Sequence, residues 1–184
     1  MKQPKDIVSE ILFESRTVMI CEEINQTMAK RVCSELLALA ADKDDDITLF
    51  VNSQGGHVEA GDSIHDVIRF IKPRVRIVGT GWVASAGTHI FLAADKEDRY
   101  CLPNTRFLIH QPSGGVGGQA SDIAIQAEEI LRMRERLANI ISEQTGQPVE
   151  KVREDIERDN WMTVDEAIEY GICGKKIESV SELN

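Results

Sequence analysis

Residues 76–94 read Arg-Ile-Val-Gly-Thr-Gly-Trp-Val-Ala-Ser-Ala-Gly-Thr-His-Ile-Phe-Leu-Ala-Ala, and this stretch decides how the rest of the chain is arranged. Its β-branched and apolar start predicts a strand, whereas the composition from Ala84 onward is typical of a helix. Gly79 and Gly81 interrupt the strand pattern and predict a sharp turn. Ser85 therefore lies where a strand leads into the first turn of a helix.

Two roles for Ser85 follow from that position. Unpaired N–H groups and the positive end of a helix dipole suit a serine whose attack creates an oxyanion. The alternative is a helix cap, which is the commoner role of serine at such a position. The motif also differs from the Gly-x-Ser-x-Gly of α/β hydrolases, because Val83 precedes the serine by two residues. This stretch alone leaves both roles open.

The composition excludes several classes of protein. The chain has 184 residues, 42% of them hydrophobic, which is enough for one domain with a sizeable core. The net charge is −10 and we find no basic patch, which argues against binding of nucleic acid. Neither a secretion signal nor eighteen consecutive apolar residues are present, so a membrane span is not expected. The four cysteines form no Cys-x-x-Cys motif, and we expect buried, reduced thiols, no metal site and a cytoplasmic location.

Strand and helix patterns alternate from Thr17 to Ala94, which predicts an α/β fold with a largely parallel sheet. Met1–Asp6 is polar and is expected to be a loose end. The predicted strands lie at 17–21, 47–52, 76–80, 99–101 and 106–109, and the predicted helices at 7–13, 25–41, 59–71 and from 84 onward. The acidic run 42–46 indicates a turn with a solvated face, not a metal site.

The second half of the sequence begins with a glycine cluster at 113–118, which indicates a flexible turn because it lacks a phosphate-loop motif. A long helix at 120–144 follows, about 37 Å in length at 1.5 Å per residue. Its apolar stripe either projects and needs a partner chain, or lies across the chain's own core. Further helices are predicted from Pro148 to about Arg158 and, after a capping box at Thr163–Glu166, up to Gly171.

A nucleophilic serine needs an imidazole within hydrogen-bond reach and an acceptor that fixes the tautomer of that imidazole. His110 ends a strand just before the glycine cluster, and we place it first as the base. His89 comes second, because it lies four residues after Ser85 on the same helix. His57 lies beside a glycine loop that could line a pocket, and nothing about His65 indicates chemistry. The many acidic residues do not single out the acceptor.

Nine segments together resemble the proteolytic subunit of the ATP-dependent Clp protease, the ClpP family. The resemblance extends from Arg16 to Ile177, and its most specific pieces are Cys101-Leu102-Pro103-Asn104 and Ile109-His110-Gln111-Pro112. The matching segments are 51–56, 60–64, 70–73, 84–87, 101–104, 109–112, 118–123, 145–147 and 157–159.

The resemblance implies a ClpP/crotonase-like spiral of β-β-α units in one domain, residues 1–184. Its head would comprise residues 7–112 and 146–184, and its long projecting handle residues 113–145. The resemblance also implies the site. Ser85 matches the nucleophile, His110 the general base and Asp159 the orienting acid, while the N–H groups of Gly56 and Ala86 match the oxyanion hole. No cofactor and no metal are implied.

The implied function is a serine endopeptidase that cleaves unfolded polypeptides inside a barrel. The barrel would consist of two stacked seven-membered rings of this chain, or of mixed rings with a paralogous subunit. The family's handle packs one ring against the other, so the stripe of the long helix would face a second ring. A separate Clp-type ATPase would unfold the substrates. Neither nucleic acid nor a membrane is an expected partner.

Several residues depart from the family's usual pattern. Gln54 replaces a proline in the oxyanion loop, and Trp82 and Ala86 replace glutamine and methionine. His89 takes a position that is usually apolar. The segment before Phe13 is shorter and more polar than in the family, and Thr48 replaces an aromatic residue near the cleft positions Phe50, Phe70 and Ile177. We therefore expect weak docking to the ATPase without a second subunit type.

Two alternative functions follow. The first is a weakly active or structural ring subunit that needs a second ClpP-type subunit for activity and for docking of the ATPase. The second is an acyl-CoA enzyme of the related crotonase fold. Such an enzyme needs oxyanion donors but no Ser–His–Asp set, so the presence of all three residue types argues against it.

Overall fold

The computed structural model describes residues 4–115 and 117–183. The strands are β1 (Thr17–Ile20), β2 (Ile47–Ser53), β3 (Val75–Ala84), β4 (Arg99–Cys101), β5 (Arg106–Ile109), β6 (Asn160–Met162) and β7 (Lys175–Lys176). The α-helices are α1 (Pro4–Glu14), α2 (Gln26–Asp42), α3 (Val58–Phe70), α4 (Ala86–Phe91), α5 (Ala120–Thr145), α6 (Val149–Asp155) and α7 (Val164–Tyr170). Short 3-10 helices occur at Lys96–Asp98 and Val180–Glu182.

One sheet contains all of these strands. The order β1-β2-β3-β4-β7 is parallel throughout, β5 adds to β3 in parallel, and β6 pairs with β5 in antiparallel fashion. Alternate residues of β2, from Ile47 to Ser53, are buried. Successive side chains of a strand point to opposite faces of the sheet, and helices cover one of these faces. The predicted α/β fold with a largely parallel sheet is confirmed, although β6 and β7 were not predicted.

β3 is longer than predicted and changes its neighbour along its length. Near its start it pairs with β4, and its end pairs with β5, where Ala84 lies opposite Leu108. The glycines permit close packing instead of a turn: a Cβ on Gly79 would lie 2.9 Å from Cγ2 of Val83. Gly81 has a φ of 61° and lies against the side chain of Asn52. The predicted sharp turn at these glycines was therefore wrong, because the strand continues to Ala84 with a bulge between Gly79 and Val83.

Helices α2 and α3 cover one face of the sheet with the predicted apolar spacing. Met28, Val32, Leu36 and Leu39 are buried on α2, and Asn25 caps that helix by accepting a hydrogen bond from the N–H of Met28 at 3.0 Å.

The long helix α5 contacts the core only near its carboxyl end. Ala138 and Ile141 are its buried residues, whereas Ile125 and Leu131 are each 61% exposed. The buried guanidinium of Arg99 anchors this end by donating to the carbonyl of Gln144 at 2.8 Å. The sequence left open whether the apolar stripe projects or lies across the chain's own core. Along most of the helix the stripe projects.

Other expectations differ from the structure near the amino terminus and at the cysteines. Residues 1–3 lie outside the described part of the chain, but α1 already begins at Pro4, where the fixed φ of proline favours a first helical turn. Cys101 and Cys173 are buried as expected, whereas Cys21 is exposed.

Within residues 4–115 and 117–183, no helix is long and apolar enough to cross a membrane. Of the glycine cluster at 113–118, residue 116 is not described.

Candidate active site

Ser85 occupies the junction between β3 and α4 in a conformation that is rare for a residue with a side chain. Its φ is 57° and its ψ is −121°. Such a backbone costs about 1–3 kcal/mol and is found mostly at functional sites. The N–H of Ser85 donates to the carbonyl of Leu108 at 2.9 Å, and its hydroxyl makes no capping bond to α4. The helix-cap role for Ser85 is therefore wrong, and the hydroxyl is available to another partner.

The hydroxyl of Ser85 faces His110, which directly follows β5. The distance between Oγ of Ser85 and Nε2 of His110 is 2.7 Å, and Nδ1 of His110 lies 3.0 Å from Oδ1 of Asp159. The pairing of β3 with β5 brings the serine and the histidine together. The antiparallel pairing of Ile109 with Asn160 brings Asp159 to the other side of the ring.

Gln111 fixes the position of Asp159 relative to the histidine. Its N–H donates to the carbonyl of Ile156 at 2.6 Å, and its side-chain amide donates to the carbonyl of Glu157 at 2.9 Å. The carboxylate of Asp159 itself is 64% exposed, whereas the side chain of His110 is only 24% exposed. The acid can therefore orient the ring from the side that faces water.

The loop that follows β2 lies directly against Ser85. A Cβ on Gly55 would come within 2.6 Å of Cβ of Ser85, and Gly55 has a φ of 98°. Ser53 supports the loop, since its hydroxyl accepts from the N–H of Gly55 at 3.1 Å and donates to the carbonyl of Glu22 at 2.6 Å. The glycine pair thus brings backbone to a distance that no larger residue permits.

The predicted oxyanion donors lie at this junction. The N–H of His57 and the N–H of Ile24 form the bridge that holds the loop, and Gly56 contributes no N–H to that bridge. Ala86 is the first residue of α4, where the helix offers no acceptor for its N–H. Among the described residues, no backbone carbonyl accepts a hydrogen bond from either amide.

A pocket opens beside Ser85 and His110. Ser85, His110 and Ala86 line it together with apolar side chains: Val58, Ile109, Pro112, Leu137 and Ile141. Leu137 and Ile141 come from α5, so the long helix contributes to the pocket as well as projecting from the core.

The remaining histidines occupy other environments. His57 caps α3, because its Nδ1 accepts from the N–H of Ala60 at 3.3 Å. His65 and His89 are buried and stacked, with ring centroids 4.5 Å apart and an angle of 5° between the planes. His89 also lines the pocket, but the ring within reach of the Ser85 hydroxyl is that of His110.

Sequence reasoning missed the partners of this histidine pair. Nε2 of His89 lies 2.9 Å from Oδ1 of Asp62, and Arg136 of α5 contacts the other oxygen of that carboxylate. Burial opposes ionisation of Asp62, but the His89 ring and Arg136 together hold the pKa of this carboxyl below its usual range. Burial, reinforced by His89, lowers the pKa of His65 to about 4. No spacing in the sequence indicated these contacts, because Asp62, His89 and Arg136 lie on three different helices.

No group of three or more His, Cys, Asp and Glu side chains among the described residues is arranged to hold a metal ion. Carboxylates of the acidic run 42–46 pair with basic side chains, as Asp46 does with Arg76 and Asp44 with Lys72.

Comparisons with known proteins agree with the predicted family. Residues 2–180 match the protein family described as Clp protease. A curated protein of Rhizobium meliloti, named ATP-dependent Clp protease proteolytic subunit 3, is 60% identical over 172 residues, which cover 94% of this chain and 88% of that protein. The ATP-dependent Clp protease proteolytic subunit of Paracoccus denitrificans is 56% identical, covering 90% of this chain and 83% of that protein.

Solved structures give the same result for the fold. ClpP1 from Listeria monocytogenes superposes with a TM-score of 0.88 and 52% identity, covering 96% of this chain and 99% of that one. A mutant of the same protein gives a TM-score of 0.91 with 53% identity, again over 96% and 99% of the two chains. The predicted ClpP-like α/β fold with a long projecting helix is confirmed.

Proposed function

Because the chain belongs to the Clp protease family and is a serine peptidase of the Clp type, we propose that it hydrolyses unfolded polypeptides by acyl transfer through Ser85, His110 and Asp159. One observation carries the proposal: a continuous hydrogen-bonded series, 2.7 Å from serine to histidine and 3.0 Å from histidine to aspartate. A nucleophile, its base and an orienting acid within these distances form the arrangement that this chemistry requires.

The steps follow from the positions of the groups. Asp159 accepts a hydrogen bond from the N–H at Nδ1 of His110 and so holds the proton on that nitrogen, which leaves Nε2 free to take the proton of the Ser85 hydroxyl. The serine oxygen attacks the peptide carbonyl, and the N–H groups of Gly56 and Ala86 stabilise the oxyanion. His110 then protonates the departing amine. Water, activated by the same histidine, releases the acid product and regenerates Ser85. No cofactor takes part in these steps.

We also propose how the chain is organised and assembled. Residues 7–112 and 146–184 form the head and residues 113–145 the handle of one domain. The chain assembles into two stacked seven-membered rings, with α5 between the rings. The 61% exposure of both Ile125 and Leu131 supports this, because apolar groups on a projecting helix favour burial against a second chain.

The partner of these rings is a cytoplasmic Clp-type ATPase that unfolds substrates and feeds them into the barrel. Phe70, which matches a cleft position, is 82% exposed and available for docking, whereas Ile177 is 2% exposed and packs inside the chain. One exposed cleft residue per subunit supports the earlier expectation of weak docking by rings of this chain alone. Because docking by rings of this chain alone would be weak, we also propose mixed rings with a paralogous subunit.

As regards activity itself, the alternative of a weakly active ring subunit has no observation in its favour. The relatives named above are called proteolytic subunits, and the serine, histidine and aspartate of this chain lie within hydrogen-bond distances. The acyl-CoA alternative does not explain why an imidazole lies 2.7 Å from the Ser85 hydroxyl.

A fluorophosphonate probe tests the proposal directly, because it reacts with an activated serine hydroxyl. We expect the wild type to be labelled and to hydrolyse unstructured peptides, and Ser85→Ala to lose both properties while keeping its fold. Ser34→Ala, a change on an exposed helix face, serves as the matched control and should behave as the wild type. Absence of labelling in every assembly state, or labelling that persists in Ser85→Ala, would contradict the proposal.

A further inference from the structure

The pocket beside Ser85 is narrow. The free space inside it is about 30 Å³, which is room for about one water molecule. Two of the helices that line it are α3, through Val58, and α5, through Leu137 and Ile141. A bulky side chain of a substrate can therefore enter this pocket only if one of its walls moves.

An ion pair joins these two helices close to the pocket. Asp62 lies one turn after Val58 on α3, and Arg136 directly precedes Leu137 on α5. The guanidinium of Arg136 contacts one carboxylate oxygen of Asp62. The other oxygen lies 2.9 Å from Nε2 of His89, which is on α4 and also lines the pocket. Asp62 thus links three of the helices that surround the pocket.

Charged contacts hold α5 where it leaves the core. The buried residues of this helix are Ala138 and Ile141, and both lie after Arg136 in the chain. Three successive residues before them each pair with a different part of the head. These pairs are Arg134 with Glu157, Glu135 with Arg153, and Arg136 with Asp62. Ion pairs of partly exposed side chains contribute little to stability and weaken with salt, so such an attachment can open reversibly.

We infer that the Asp62–Arg136 ion pair is a clasp that keeps the pocket narrow and opens when a large side chain enters at P1, the residue whose carbonyl Ser85 attacks. The inference rests on the proposed function. In a serine peptidase the pocket next to the nucleophile sets the preference for the P1 residue. Opening the clasp costs free energy only for substrates with a large P1 side chain. Asp62 and Arg136 are therefore positioning residues, which lower kcat/KM selectively for those substrates.

Two peptides that differ only at P1, where one has alanine and the other leucine, test the inference on the assembled protein. We expect the ratio of kcat/KM for the leucine peptide to that for the alanine peptide to rise about fivefold in Arg136→Gln. Asp62→Asn should raise the ratio by the same factor. The double variant should show no further rise, because both changes remove the same contact.

Two control variants separate the clasp from other effects of charge on α5. Arg136→Lys keeps a cation opposite Asp62 and should retain the wild-type ratio within about twofold. Arg132→Gln should also retain it, since the partners of Arg132 are Glu128 and Glu129 on the same helix. All proteins are compared as particles of equal sedimentation coefficient.

The dependence on salt gives a readout that a purely structural role of Arg136 would not change. In the wild type the leucine-to-alanine ratio should rise between about 50 mM and about 500 mM salt, because screening weakens the ion pair. In Arg136→Gln, which has no ion pair to screen, the ratio should stay level over the same range.

The outcomes separate this inference from the proposed function. An unchanged ratio in Arg136→Gln and Asp62→Asn, with a wild type that is labelled by a small fluorophosphonate, overturns the inference and leaves the proposed function intact. The same holds if salt changes the ratio equally in the wild type and in Arg136→Gln. If the wild type is labelled in no assembly state, the proposed function fails, and the inference that rests on it fails with it.

Discussion

The hydroxyl of Ser85 owes its freedom to the backbone. A serine at the start of a helix ordinarily caps it, but the φ of 57° at Ser85 turns the side chain away from the N–H groups of α4. The hydroxyl is then available to His110 at 2.7 Å. The strained backbone lowers the stability of the folded chain, and the hydroxyl that it frees serves the reaction.

Replacing the base or the acid should remove activity without removing the fold. We expect His110→Ala and Asp159→Asn each to lower kcat/KM by at least roughly 100-fold, because the three residues act as one unit. A double variant should be scarcely worse than His110→Ala alone. Peptide hydrolysis and circular dichroism on the same samples measure both effects. If His89→Ala inactivated the enzyme and His110→Ala did not, the assignment of the base would be wrong.

Gly55 should be as sensitive as the triad, although it performs no chemistry. Alanine there would place a methyl group 2.6 Å from Cβ of Ser85, at a φ of 98° that alanine rarely adopts. We expect Gly55→Ala to reduce fluorophosphonate labelling severely. Gly114→Ala is the control, since a Cβ at that position meets nothing within 4 Å. Equal labelling of the two variants would show that the loop yields easily.

At the scale of elements, the helices α3 and α4 are joined by the stacked rings of His65 and His89. Such a stack contributes packing and aromatic contact, but it also buries a basic group. Burial, with a contribution from His89, lowers the pKa of His65 to about 4, against about 6.5 in an unfolded chain. His65 therefore stays neutral in the folded protein under conditions in which the unfolded chain takes up a proton.

The consequence is a loss of stability in acid that can be assigned to one residue. Between pH 6.5 and 4 the unfolded state binds the extra proton, so falling pH favours unfolding by about 3 kcal/mol at most. In His65→Phe this contribution is absent, and the free energy of unfolding should fall less steeply over that range. Urea titrations at pH 7.5, 6.5 and 4.5 measure it. Parallel pH dependence in the two proteins would contradict the prediction.

Sequence patterns predicted the long elements better than the short ones. The apolar spacing of α2 and α5 follows from helical geometry, and both helices were found within a few residues of their ends. β6 has three residues, one of them Asn160, and carries too little periodicity to be recognised. The glycines of β3 were interpreted as a turn. Their actual role is close packing against Val83 and Asn52, which depends on tertiary contacts that the sequence does not show.

The site was predictable in part for a similar reason. Ser85 and His110 lie at the ends of strands, where functional side chains gather in parallel sheets, so position along the chain indicated both. Asp159 follows α6 and is brought to His110 only by the antiparallel strand β6, which the sequence did not reveal. From the residues alone no carboxylate could be chosen, and the family resemblance was needed to name it.

At the scale of the whole molecule, α5 has two roles. Its carboxyl half lines the pocket through Leu137 and Ile141, and the rest of the helix exposes Ile125 and Leu131. Assembly along this helix would therefore act on an element that also shapes the site. Conversely, a chain that cannot assemble would leave an apolar surface in water, which is unfavourable.

A charge on the exposed stripe should prevent ring stacking. We expect Leu131→Glu to shift the protein from a large assembly to single rings or smaller species in sedimentation velocity at micromolar concentration, because the carboxylate would be buried without a partner. Gln126→Glu adds the same charge at another exposed position of α5 and should sediment as the wild type. A monomeric wild type under several salt conditions would contradict the proposed double ring.

The exposed thiol of Cys21 gives this enzyme a site for a spectroscopic reporter. Cys21 follows β1 next to Glu22, whose carbonyl accepts from Ser53, the residue that supports the loop beside the active serine. Burial of part of the sulfur raises the pKa of Cys21, so thiol-specific reagents should react slowly at neutral pH and faster in mild alkali. Brief alkylation should modify Cys21 ahead of the buried Cys101 and Cys173, as peptide mapping would show. A nitroxide attached there would then register, by its mobility, whether the glycine loop moves when Ser85 becomes acylated.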